Sequence, residues 1–381
     1  MKIGISCYPT YGGSGVLATE LGKALADEGH QVHFITYQQP VRLNVFNANI
    51  FYHEVRVPTY PLFDYPPYEI ALASTMVDVI VNHDLDIMHV HYAIPHASAA
   101  YMAKQIVLQQ TGRNIPVITT LHGTDITLVG RDKTYAPVVT FSINQSDVIT
   151  AVSQNLKDET LKSFTITKEI EVITNFVDLE RFNIQAIDAF RKVIAPKGEK
   201  ILVHASNFRK VKRVQDVVKA FAEIRQHVPV KLLMVGDGPE RPVMEDLVRE
   251  LNIDEDVRFV GKQEQIEEIL AVSDIFLLPS EYESFGLAAL EAMAAHNIVI
   301  SSNAGGLPEI NIHGKTGYLT PVGDVEAIKV AALEVLQDDK KLQQMKQAAF
   351  EQAQKFDIHH ILPKYEELYS RYCRMDVCSN A

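Results

Sequence analysis

Short apolar runs alternate with amphipathic stretches through the first half of the chain. KIGISC comes first, and the stretch from about Gly15 to His30 then carries Leu17, Leu21 and Leu25 at helical spacing. QVHFIT, IFYHEVRV, DIMHV, PVITTL, DVITAV and EIEVIT read as further strands. The helical stretches between them predict right-handed βαβ units and a parallel sheet. After NFVDLERF (175–182) the pattern restarts, with strands at KILVHAS, VKLLMVG, DVRFVG, DIFLLP and NIVISS. The C-terminal stretch is helical and lines up Tyr365, Leu368, Tyr369 and Tyr372 as an apolar stripe.

The expected fold class is therefore α/β, with two doubly wound Rossmann-like domains. Residues 1–177 form the first, 178–355 the second, and 356–381 a helix packing back towards the first. Open parallel sheets bind ligands at the carboxyl ends of their strands. Two such domains predict two substrates, one on each, facing each other across a cleft.

Composition narrows the class of partner. At 381 residues the chain exceeds what one core usually supports. Hydrophobic residues make up 47% and charged residues 22%, the mix of a soluble globular protein. A formal charge of −12 counts against nucleic acid or an anionic membrane as the main partner. The three cysteines, Cys7, Cys373 and Cys378, make no disulfide framework and suggest a reducing compartment. No apolar run reaches spanning length, so the cytoplasm is the expected location. A homo-oligomer stays open.

The glycine-rich segment YGGSG (11–15) follows the first strand. Gly13-Ser14-Gly15-Val16-Leu17-Ala18 fits the relaxed dinucleotide fingerprint GxGxxA. That fingerprint needs an acidic residue about 20 positions on, at the end of the second strand. HFITYQ offers neither a carboxylate nor an arginine there, which argues against a dinucleotide. Two readings survive: a loop of bare N–H groups at a helix N-terminus, suited to an anionic or hydroxyl-rich ligand, or a turn that only lets helix and strand pack.

The stretch Ser280-Glu281-Tyr282-Glu283-Ser284-Phe285-Gly286-Leu287, running on to Glu291, is the most informative. It follows the apolar strand DIFLLP and opens a helix whose Leu287, Leu290 and Ala294 are expected to face the core. Two carboxylates bracketing a helix N-terminus suit a nucleotide sugar. One accepts hydrogen bonds from sugar hydroxyls and the other from ribose hydroxyls, while the N–H groups of Phe285, Gly286 and Leu287 meet the diphosphate. Each charge-assisted bond is worth about 1.5–3 kcal/mol.

This Glu-x7-Glu element resembles the signature of the retaining glycosyltransferases of family 4, which have the GT-B fold. The resemblance covers essentially the whole chain. In SNFRKVKR (206–213), Lys212 matches the family lysine that faces the donor pyrophosphate. The usual arginine is Asn207 here, and Arg209 stands near enough to supply its charge. Gly236-Asp237-Gly238-Pro239 resembles the GxGP turn, Val260-Gly261-Lys262 the loop that meets the base, and Gly305-Gly306-Leu307-Pro308-Glu309 the GGxPE loop. The usual Cys-Gly-x-Pro is replaced by Ala295-His296-Asn297-Ile298. In this family the Gly-rich loop after the first strand lies near the donor phosphates and the acceptor.

Three stretches look closer still to one branch of the family: CYPTYGGSG, HYAIPH with LHGTDIT, and SNFRKVKRVQD. That branch moves N-acetylglucosamine from UDP-GlcNAc to the hydroxyl of L-malate, the first step of bacillithiol biosynthesis. The resemblance implies His122, Lys212, Glu283 and Arg209 as catalytic residues. Donor contacts would come from Gly13, Asn207, Lys212, Gly236, Gly261, Ser284, Phe285, Gly286, Leu287 and Glu291. Candidates for the acceptor are Gly12, Gly13, Ser14, Gly15, Tyr92, Thr120, Arg42 and Arg131. Retention in the family is read as front-face displacement, which places charge on the departing UDP and requires no metal or other cofactor. Asp84-Leu85-Asp86 and Asp254-Glu255-Asp256 read as surface turns, and His89, His91 and His96 have no matching acidic cluster. The alternatives are the same fold and donor class with a glycan or lipid acceptor, or a nucleotide-sugar-binding protein without turnover.

Overall fold

The computed structural model describes the chain except residues 11, 12, 44, 45, 58–64, 129, 131, 183, 185–187, 380 and 381, and the side chains of 128, 188 and 374–379. It divides into two compact units, Met1–Asn175 with Ile358–Ala381, and Phe176–Asp357.

The first unit is built on seven strands: β1 (Lys2–Ser6), β2 (Gln31–Thr36), β3 (Ile50–Glu54), β4 (Ile87–His91), β5 (Val117–Leu121), β6 (Val148–Ala151) and β7 (Ile170–Val172). All pairs are parallel, in the order β3-β2-β1-β4-β5-β6-β7. Helices cover both faces of such a sheet, which is why β4 and β5 are buried at every position. The crossovers include helices α1 (Gly13–Asp27), α2 (Tyr68–His83) and α3 (Ser98–Thr111). α1 begins at Gly13 and ends at Asp27, slightly earlier than its apolar spacing suggested, and buries Leu17, Leu21 and Leu25.

The second unit has six parallel strands: β8 (Lys200–Ser206), β9 (Val230–Gly236), β10 (Val257–Gly261), β11 (Ile275–Leu278), β12 (Ile298–Ser302) and β13 (Gly317–Thr320). Their order is β10-β9-β8-β11-β12-β13. The edge strand β13 had no place in the sequence pattern, because GYLT is short and starts on glycine. Phe221, on the helix Val214–Ile224, packs with Leu202, Leu232, Met234 and Leu277 from the sheet. At the amino edge Asp274 accepts from Arg191 and Lys346, each at 2.8 Å, and from the Ile201 amide at 2.9 Å. Burial would raise its pKa, but these partners outweigh burial and hold it below the usual carboxylate range.

The helix Ile358–Ser379 belongs to the first unit. Tyr365, Leu368 and Tyr369 are buried, while Tyr372 is half-buried. The Tyr369 hydroxyl meets His89 Nδ1 at 2.7 Å, and His89 Nε2 meets Thr120 Oγ1 at 2.7 Å. Thr120 in turn meets Thr150 Oγ1 at 2.7 Å, so a polar thread runs from the last helix across β4, β5 and β6. Among the described residues no helix is long and apolar enough to cross a membrane.

Burial pushes His89 down to about 3 and His204 down to about 4. Both stay neutral in the folded chain, while an unfolded histidine takes a proton below about pH 6.5. The unfolded state therefore binds more protons as pH falls, and stability is lost from about pH 6.5 down towards the folded values. We expect the urea midpoint to drop between about pH 7 and about pH 5, as the unfolding free energy falls by up to about 1.4 kcal/mol per pH unit for each such histidine. His89→Gln should flatten that slope while lowering stability at neutral pH. A midpoint that ignores pH in this window would contradict the neutral, buried state.

Candidate active site

The carboxyl edge of the second sheet is assembled from close backbone contacts. A Cβ on Gly236 (φ +114°) would lie 1.8 Å from the Ser206 carbonyl, and one on Gly238 would lie 2.2 Å from that of Asn207. The GDGP turn after β9 is thereby seated on the SNFRK turn after β8, and the Glu240 amide donates to the Phe208 carbonyl at 3.0 Å. Asn207 and Arg209 expose their side chains beyond this contact. The short turn Lys210–Lys212 follows, and the Glu281 amide donates to the Val211 carbonyl at 2.8 Å.

That last bond brings Lys212 beside the Glu283 loop. Lys212 Nζ donates to Glu283 Oε1 at 2.6 Å, and Ser280 Oγ donates to the same oxygen at 2.8 Å. For so sheltered a pair, desolvation offsets much of the attraction, so its contribution is a fixed geometry more than stability. The GGLPE loop holds Glu283 from behind. The Gly306 amide donates to the Glu283 carbonyl at 2.8 Å, and a Cβ on Gly305 (φ +60°) would sit 2.0 Å from that carbonyl.

The helix Leu287–Ala294 starts from Gly286 at φ +97° and ψ 47°. Its first N–H groups lack intrahelical acceptors, and its dipole favours an anion at this end. Phe285 buries its ring edge-on to Phe356, with centroids 5.8 Å apart, so only its backbone is available to a ligand. Leu290 and Ala294 are buried as the spacing implies, whereas Leu287 is only half-buried. Glu291 is half-buried on the next turn. Gly261 (φ +69°) ends β10, beside the strand that Gly236 ends.

In the first unit the polar groups gather at the carboxyl ends of β4 and β5. Tyr92 follows β4 at φ +83° and ψ 142°, outside the basins open to most side chains. Its hydroxyl meets Ser14 Oγ, near the start of α1, at 2.7 Å. Asp125 accepts from the Ala93 amide at 2.7 Å and the Gly123 amide at 3.2 Å, tying together the loops after the two strands. Burial raises the Asp125 carboxyl to about 6 against the pull of those amides. His122 Nε2 meets His91 Nδ1 at 2.8 Å, and burial pushes His122 down to about 3. At neutral pH His122 is thus an uncharged hydrogen-bonding group.

The geometry brings Lys212 and Glu283 into contact, and likewise Ser14 with Tyr92. Two acceptor expectations change. Thr120 is buried with its hydroxyl engaged by His89 and Thr150, which puts it beneath the site rather than on it. Gly15 is a packing position, since a Cβ there would lie 2.2 Å from the Tyr8 carbonyl. Gly13 opens α1 and is exposed, and Arg42 is half-buried in the turn after β2 at φ +68°. Gly12 and Arg131 lie outside the described residues. The two Asp-x-Asp strings sit before β4 and β10 in ion pairs: Asp84 with Arg113 at 2.7 Å, and Asp256 with Lys231 at 2.6 Å. Sequence reading passed over Ser280, His91 and Asp125. The one available hint was a carboxylate two residues after Gly123, in the segment that follows the apolar strand PVITTL.

Two family models match this chain in succession. Glycosyltransferase Family 4 covers residues 11–181, and Glycosyl transferases group 1 covers residues 186–352. The N-acetyl-alpha-D-glucosaminyl L-malate synthase of Bacillus anthracis is 48% identical over 378 residues, spanning 99% of this chain and 98% of that one. Among solved structures, Anabaena HepE in complex with UDP and glucose superposes with a TM-score of 0.81 at 20% identity, covering 97% of this chain and 99% of that one. Sucrose-phosphate synthase from Thermosynechococcus elongatus gives 0.79 at 23% identity, covering 98% and 99%. At those identities the two structures speak to the fold alone. The family models and the full-length relative together show that the chain belongs to the family 4 glycosyltransferases, with two parallel-sheet units of the GT-B fold.

Proposed function

We propose that this enzyme takes N-acetylglucosamine from UDP-N-acetylglucosamine and places it, with retention at the anomeric carbon, on the hydroxyl of L-malate. The products are UDP and N-acetylglucosaminyl malate, the first step of bacillithiol biosynthesis. The observation that carries this reading is the 48% identity to the Bacillus anthracis synthase along 99% of the chain.

The donor belongs to the second unit. Glu283 and Glu291 accept hydrogen bonds from its sugar and ribose hydroxyls. Lys212, Arg209 and the amides at the start of the helix Leu287–Ala294 face the diphosphate, and Gly236 and Gly261 let the backbone approach the nucleoside. The acceptor belongs to the first unit, where Ser14, Tyr92 and the amides of Gly12 and Gly13 meet it. Arg42 and Arg131 are the cations proposed for its two carboxylates. In the transfer, the bond from the anomeric carbon to the UDP oxygen breaks as the malate oxygen attacks from the same face. The malate proton passes to the departing diphosphate. Charge on that leaving group is met by Lys212, Arg209 and the helix amides, so the step calls for no metal ion. Neutral His122 serves as a hydrogen-bond partner near the reacting carbon. We place the reaction in the cytoplasm, in keeping with the cysteine content.

Purified protein with UDP-N-acetylglucosamine and EDTA should release UDP only when L-malate is added, and not with D-malate or succinate. Failure with L-malate while UDP still binds would remove malate as the acceptor and leave the donor reading standing. Lys212→Ala and Glu291→Ala should each lower turnover by about 10²–10³-fold with an unchanged far-UV spectrum. Wild-type rates in either variant would refute its role.

A further inference from the structure

The first unit carries three histidines that the transfer chemistry leaves unused. His33 lies on β2, His53 on the neighbouring edge strand β3, and His83 ends α2. In the β2–β3 register His33 pairs with Phe51 and Ile35 with His53, so His33 and His53 leave the sheet on the same face. The end of α2 brings His83 against both rings, with centroids 4.8 Å from His33 and 4.9 Å from His53. One nitrogen from each ring lies within 4.8 Å of the other two. His83 stands before β4 and Tyr92 after it, so the helix end that carries His83 lies at the amino edge of the sheet, opposite the candidate acceptor groups.

We propose that His33, His53 and His83 bind a divalent transition-metal ion of the zinc class, with water completing the shell. Imidazole nitrogens bind zinc at about 2.0–2.1 Å, which sets adjacent ligand nitrogens about 2.9–3.4 Å apart. His33 Nδ1 and His53 Nε2 are already 2.9 Å apart. His83 is exposed at its helix end and is free to close the remaining distance. The His33 ring is held in a fixed plane, stacked on Phe51 at 4.6 Å and 15°. His33 is buried, and among the described residues its Nε2 has no hydrogen-bond partner. Three imidazole nitrogens, with no carboxylate in the cluster among the described residues, select a borderline metal over magnesium or calcium. Such an ion would join the edge strand β3 and the end of α2 to the interior strand β2.

The test uses the full chain, stripped with chelator, dialysed and titrated with Zn²⁺ by calorimetry, with Co²⁺ as an optical probe. About one zinc per chain should bind with a rise in Tm, and Co²⁺ should give visible ligand-field bands. His83→Gln and His53→Gln should each weaken binding by at least about tenfold and abolish the bands. His83 is exposed, so its variant keeps the fold, and far-UV circular dichroism checks this. Wild-type protein that takes up no zinc would show that His33 and His53 are only a hydrogen-bonded pair. Equal binding by wild type and His83→Gln would place the metal on other histidines. Either result overturns the proposal.

Discussion

At the carboxyl edge of the second sheet, backbone meets backbone at separations that only glycine allows. Gly236 rests on the Ser206 carbonyl, Gly238 on Asn207, Gly305 on Glu283 and Gly306 on the Ser284 carbonyl. Any Cβ at these points would drive the turns apart. Lys212 and Glu283 meet at 2.6 Å because the chain segments that carry them are clamped from both sides. Long side chains lose conformational freedom when they are fixed, and here the main chain has already limited where they can go.

The first unit reaches rigidity by another route. Its sheet carries His89, His91, Thr120 and Thr150 where a parallel sheet would ordinarily be aliphatic, and Asp125 is buried in the loop after β5. A buried polar group is tolerated when its partners are in place, and in a low dielectric those bonds specify one arrangement strongly. The thread from Tyr369 through His89 to Thr120 and Thr150 supplies such partners beneath the loops that present Tyr92 and His122. The two units thus support their carboxyl edges differently, one through close backbone packing and the other through a polar network.

Much of this was legible in the chain itself. Alternating apolar runs and helical spacing placed β1 to β12, because parallel strands buried on both faces read as continuous apolar segments. The Glu283–Glu291 element stood out because charge beside a buried strand is conspicuous, whereas Lys212 stood out only through the resemblance of SNFRKVKR to the family motif. What escaped depends on facing and on distance. PVITTL has no alternation, so nothing local indicated that Thr120 points into the core. Asp125 lies within LHGTDIT, yet its link to the Ala93 amide joins loops that follow different strands. His33, His53 and His83 are far apart in sequence, and no spacing rule gathers them. β13 was lost because four residues beginning with glycine leave too weak a signal.

The helix Ile358–Ser379 fixes an order of events at the ribosome. The first unit is translated first but is completed by a helix that emerges only after the whole second unit. Until Tyr369 arrives, His89 has to wait, 280 positions upstream, without its partner. The nascent first unit therefore waits for its last helix throughout the synthesis of the second unit, while the second unit is continuous and can close on itself as soon as it leaves the exit tunnel. The part of the protein made earliest is the last to be sealed.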